Sequence, residues 1–132
     1  MQVCCSTFKD WNAVAKWKRS LRKLCWVCTP EMRQLALKLT KHLKSPEEKA
    51  RALTYWVKRN IRYLSKGVGH DYTPHHPKSV LLNRQGDCKD TSQLLAVMLK
   101  EVGIDVTHVT LGGLDDGHVL ANVTSLCDPH AN

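Results

Sequence analysis

Gln85-Gly86-Asp87-Cys88-Lys89-Asp90-Thr91-Ser92-Gln93-Leu94-Leu95-Ala96-Val97-Met98-Leu99 is the stretch on which the fold turns. Gln85-Gly86-Asp87 breaks the chain. Leu94, Leu95, Val97, Met98 and Leu99 then predict a buried helix over residues 88–102, stopped by Gly103. Cys88 therefore falls in a first helical turn. The free N–H groups and the dipole of such a turn favour a thiolate over a thiol. They can also donate to an oxyanion forming on a carbonyl under attack.

A nucleophilic cysteine needs a base, and the base needs an orienting acceptor. Both are sought C-terminal to the helix. Residues 104–111 alternate as a strand, 112–117 make a Gly- and Asp-rich turn, 118–123 read as a second strand and 126–129 as a short third. A turn at 123–125 sets Asp128 opposite Leu120, so His118 and Asp128 share a face as diagonal neighbours. A register shift of one residue would separate them.

On the N-terminal side, three helices are expected. In residues 10–28, Trp11, Val14, Trp17, Leu21, Leu24 or Cys25, and Cys28 recur at helical spacing. Thr29-Pro30-Glu31 starts a second helix that runs to about Leu43, with Leu35, Leu39 and Leu43 on one face. Ser45-Pro46-Glu47-Glu48 is a capping box that opens a third, which carries Ala52, Leu53, Trp56, Val57 and Ile61 and ends near Tyr63. Residues 65–78 read as a long loop, and 79–83 as one apolar turn. Helices first and strands last make an α+β layout with an antiparallel sheet.

Several stretches resemble the transglutaminase-like superfamily of the bacterial type. Ser45-Pro46-Glu47-Glu48-Lys49-Ala50-Arg51-Ala52-Leu53, Trp56-Val57 and Asn60-Ile61-Arg62-Tyr63 look like the helix before its active site. Pro77-Lys78-Ser79-Val80-Leu81 and Gly86-Asp87-Cys88-Lys89-Asp90 resemble its nucleophile segment. Val102-Gly103-Ile104-Asp105-Val106 resembles the helix end and the strand beyond it. Gly117-His118-Val119-Leu120 and Cys127-Asp128-Pro129 resemble its His and Asp motifs. The resemblance spans about residues 45–130 in order, with a shorter interval between His118 and Asp128 than such proteins commonly show.

The resemblance implies a papain-like core, with a nucleophile helix packed on a small antiparallel sheet. It implies Cys88 as nucleophile, His118 as base and Asp128 as the residue holding the imidazole. The chemistry would be acyl transfer through a thioester on a protein or peptide substrate, with no cofactor. Hydrolysis of a peptide or side-chain amide is favoured over transamidation. The Cys88 N–H would be one oxyanion donor, and Gln85, Tyr72 or Trp56 the second. Asp87, His75 and His76 would line or rim the substrate groove.

The 132 residues carry 20 Lys+Arg against 12 Asp+Glu, a net charge of +8. This is one domain's worth of chain, read as a basic helical extension over residues 1–28 and a core over 29–132. No apolar run is long enough to span a membrane. Met1-Gln2-Val3-Cys4-Cys5-Ser6 does not begin a Sec-type signal peptide, so a cytoplasmic location and reduced thiols are expected. Cys25-Trp26-Val27-Cys28 with Cys4 and Cys5 offers four thiolates, but within a helix Cys25 and Cys28 simply share the apolar face. Buried free thiols are expected there rather than zinc. His70, His75 and His76 match no standard metal spacing. Much of the excess charge lies in Lys16, Lys18, Arg19, Arg22 and Lys23, a basic face that would suit an acidic partner, with nucleic acid ranked lower. A non-catalytic binding module using that helix is the rival to the enzyme.

Overall fold

The computed structural model describes residues 7–64 and 72–110. The elements run α1 (Trp11–Arg22), a 3₁₀ turn (Lys23–Cys25), α2 (Pro30–Thr40), α3 (Pro46–Asn60), β1 (Arg62–Tyr63), α4 (Pro77–Asn83), β2 (Gln85–Gly86) and α5 (Cys88–Glu101).

Local signals start α1, α2 and α3 where they were read. The Asp10 carboxylate accepts the Ala13 N–H at 2.8 Å to cap α1. Thr29 caps α2 ahead of Pro30, its hydroxyl accepting from the Met32 N–H at 3.3 Å. Ser45 and Glu48 exchange both bonds of a capping box at 3.1 Å each, which opens α3. Gly103 follows α5 with φ +81°, a left-handed conformation that glycine adopts without steric cost.

Helix α5 lies at the centre and packs on α2, α3 and α4. Met32 and Ala36 of α2, Leu53 and Val57 of α3, Ile61, Val80 of α4, and Leu94, Val97 and Met98 of α5 form one buried cluster. Val14 of α1 and Cys25 of the 3₁₀ turn are also buried.

Three expectations are corrected. The α2 face is centred on Met32, Ala36 and Thr40, with Leu35 and Leu39 only partly buried at its flank. Thr40 can be buried because its hydroxyl donates to the Ala36 carbonyl at 2.8 Å. The helix expected over 10–28 gives way to the 3₁₀ turn after Arg22, which leaves Leu24 83% exposed. The apolar turn at 79–83 is the end of a longer helix, α4, capped by His76.

The antiparallel sheet expected over 104–129 is not confirmed: the described strands are β1 and β2, which pair parallel, with Arg62 opposite Gln85 and Tyr63 opposite Gly86. A long excursion between them returns the chain in the same direction. Residues 104–110 form no ladder among the described residues. The expected strands at 118–123 and 126–129 lie outside them. No helix among the described residues is long and apolar enough to cross a membrane.

Candidate active site

Cys88 is the first residue of α5; it is exposed and its thiol is free. Asp87 is the N-cap, accepting from the Lys89 N–H at 3.0 Å and the Asp90 N–H at 3.2 Å. Asp90 completes a second capping box by accepting the Asp87 N–H at 3.2 Å. The Lys89 ammonium also bonds the Asp87 carboxylate. With the next two amides satisfied by Asp87, the Cys88 N–H has no acceptor among the described residues. The cap therefore holds the thiol at the helix end and leaves one donor beside it.

Asp90 ties a second segment to this turn. Its side chain is buried, yet Oδ1 accepts the His75 backbone N–H at 2.8 Å and Oδ2 lies 3.0 Å from His75 Nδ1. Burial works against its ionised form, but the His75 and Asp87 donors outweigh it and hold the carboxyl below its ordinary value. Gly86 permits this closeness. A Cβ there would stand 2.7 Å from the Asp90 Cβ.

The parallel pair brings the end of α3 to the same place. The Arg62 N–H donates to the Arg84 carbonyl at 2.8 Å, and the Leu64 N–H to the Gly86 carbonyl at 3.0 Å. Tyr63 thereby faces Cys88. Burial and then the charges of Cys88 and Asp87 push its phenol pKa up. A cleft of about 60 Å³ adjoins the cap, walled by His75, Ser79, Asn83, Gln85, Asp87 and Asp90 among others.

Of the groove residues, Asp87 and His75 meet at this cleft, through Asp90. His76 does other work: its Nδ1 accepts the Lys78 N–H at 3.2 Å and caps α4. Gln85 is exposed in β2 and lines the cleft. Tyr72 packs edge-on against Trp17 with ring centroids 5.3 Å apart. Trp56 lies against the core with the Arg84 guanidinium 5.0 Å over its ring. His118 and Asp128 lie outside the described residues, as do Cys4, Cys5, Cys127 and His70. Cys25 and Cys28 turn their thiols to different carbonyls, Pro74 at 3.3 Å and Thr29 at 3.4 Å. Burial first, and then Glu101, push the Cys28 thiol up to about 11.

Residue-level reading missed three groups here. Asp90 was legible, because Asp87 and Asp90 stand at capping-box spacing. Tyr63 carried no signal, since its position depends on the parallel pairing. The third group is the pair Lys18 and Arg22 of α1. These side chains are half-buried, and burial pushes the pKa of each down. The Arg22 Nη1 donates to Gln93 Oε1 of α5 at 3.4 Å. The Lys18 ammonium donates to the Thr110 hydroxyl at 3.3 Å and lies 5.5 Å over the Tyr72 ring. The basic face is thus divided: Lys16, Arg19 and Lys23 point to solvent, whereas Lys18 and Arg22 face the body of the protein.

Comparison with known proteins agrees with this arrangement at the level of family. Searches of curated proteins and of solved structures return no match. The family model of the transglutaminase-like superfamily matches residues 33–126, a span that takes in Cys88 and His118 and stops short of both α1 and Asp128. With most of its length inside that span, the chain belongs to the transglutaminase-like superfamily.

Proposed function

We propose that the protein is a cysteine-dependent acyl-transfer enzyme that hydrolyses a peptide or side-chain amide. The observation that carries this reading is the exposed, free Cys88 thiol in the first turn of α5, inside a matched span whose superfamily typically holds cysteine enzymes of this class. His118 takes the thiol proton, and Cys88 Sγ attacks the amide carbonyl carbon. The oxyanion is met by the Cys88 N–H. Collapse breaks the C–N bond, and the imidazolium returns its proton to the leaving amine. Water, deprotonated by the same imidazole, then attacks the thioester, releasing the acid and the free thiol. Asp128 holds the imidazole in its working tautomer. Gln85 is the best supported second oxyanion donor, because it lines the cleft beside the cap.

Iodoacetamide at neutral pH, with the labelled sites mapped by mass spectrometry, tests the nucleophile. Cys88 should react fastest of the six thiols, and Cys88→Ala should lose that label while its circular dichroism is unchanged. His118→Asn should slow both labelling and amide cleavage by about a hundredfold or more, the lower range for a removed general base. Equal labelling of wild type and Cys88→Ala would refute the proposal. Incorporation of an added amine in place of hydrolysis would identify a transamidase.

A further inference from the structure

The end of α2, the start of α3 and the end of α5 meet around a second hollow, an open groove of about 470 Å³. It lies at the far end of α5 from Cys88, about 20 Å away at the rise of a helix. Leu37 of α2, Leu43 of the link to α3 and Val102 after α5 line it with apolar surface. Leu37 is 49% exposed, whereas Leu43 and Val102 are half-buried and recessed. Thr40 adds no free donor, because its hydroxyl already bonds the Ala36 carbonyl.

Three ammonium groups, those of Lys38, Lys41 and Lys49, line the same groove. Lys38 and Lys41 are exposed and three residues apart, so like charges share one side of the end of α2. Lys38 stands in the last turn of α2, where the helix dipole favours a cation. Lys49 lies just inside the start of α3, where the dipole disfavours one. Two carboxylates close by are turned to other work. Glu101 lines the groove but pairs with the Arg33 Nε at 2.6 Å. Glu48 accepts the Lys44 and Ser45 N–H groups at the cap of α3. Apolar walls set among three cations are complementary to a ligand that is both acidic and apolar.

We infer that this groove docks an acidic segment of another protein. Its carboxylates meet Lys38, Lys41 and Lys49, and apolar side chains between them rest on Leu37, Leu43 and Val102. The inference stands apart from the chemistry at Cys88. A concave groove suits a chain segment, whereas a flat anionic membrane would leave the recessed Leu43 and Val102 unfilled.

Fluorescence anisotropy of the full chain with a fluorescein-labelled Asp-Glu-Leu-Glu-Leu-Glu-Asp peptide tests this. Wild type should bind the peptide. Lys38→Gln, Lys41→Gln and Lys49→Gln together should weaken binding roughly tenfold, the scale of three exposed ion pairs. Leu37→Ser alone should weaken it by about fivefold, for an apolar contact partly buried. Replacing the Leu residues of the peptide by Ser should weaken it to a similar degree. Lys16→Gln, Arg19→Gln and Lys23→Gln together remove the same charge from exposed positions of α1 and should leave affinity unchanged. Circular dichroism checks that each variant is folded.

Absence of binding by the wild type overturns the inference, as does affinity unmoved by the groove variants. An equal loss with the α1 variants does so too, because net charge alone would then explain it. The iodoacetamide rate of Cys88 should be the same with and without saturating peptide. Protection of the thiol would place the peptide at the active site and overturn the groove. Groove-dependent binding to phosphatidylserine vesicles, with none to the peptide, would replace the protein partner by a membrane.

Discussion

Asp90 is a buried carboxylate whose acceptor oxygens hold His75 on one side and the Asp87 amide on the other. Its carboxyl lies below the ordinary value near 3.8, so the stabilisation is complete above that value and fades as pH falls through the lower folded pKa. Thermal melts from pH 7 downward should show wild-type stability declining at the acid end. Asp90→Asn should flatten that part of the curve and lower stability at pH 7 by about 2–3 kcal/mol, the range for a hydrogen bond to a buried charge. An unchanged acid limb in the variant would show that other carboxylates set it. The residue was readable from its spacing to Asp87, whereas its role in anchoring His75 was not. That contact crosses fifteen positions and depends on how the intervening loop returns.

At the scale of elements, Gly86 decides how closely β2 approaches α5. Gly86→Ala would drive a Cβ against the Asp90 Cβ, both atoms fixed to backbone, so the strand or the helix must shift. The expected loss is about 1–3 kcal/mol, as for overpacking in a core, with slower alkylation of Cys88. Urea unfolding and the iodoacetamide rate measure the two effects. The beginnings of α2 and α3 were legible because a cap is written within four residues. Helix α4 was foreshortened because its cap is His76, a residue type seldom used so. The α2 face was displaced because a buried Thr40, satisfied by its own helix, counts as polar in any periodicity. The parallel pair left no trace: strands of two residues have no period, and their pairing is non-local. Placing His118 against Asp128 needs strands that lie beyond the described residues.

Taken as a whole, the molecule carries a net charge of +8. Self-repulsion opposes the compact state, and salt screens it. The melting temperature should therefore rise by a few degrees as ionic strength goes from about 0.01 to 0.15 M, over which the Debye length falls from roughly 30 to 8 Å. A melting temperature that falls over this range would show that attractive pairs such as Arg33–Glu101 outweigh the repulsion. The helical core and the nucleophile were legible because each is written locally. The half-burial of Lys18 and Arg22 was not, since composition counts charges without saying which way they face.

The two-residue strand pair also fixes the neck of an excursion. Chain leaves at Leu64 and returns at Gly86, and bonds from Arg62 to Arg84 and from Leu64 to Gly86 close it, with a further tie from His75 to Asp90. Closure entropy grows only with the logarithm of length, so doubling such a segment costs about 0.6 kcal/mol. Residues inserted between Leu64 and Tyr72 would accordingly leave in place the bonds that keep Cys88 in register. The chain can thus grow longer between those two residues at little cost, with the chemistry left untouched.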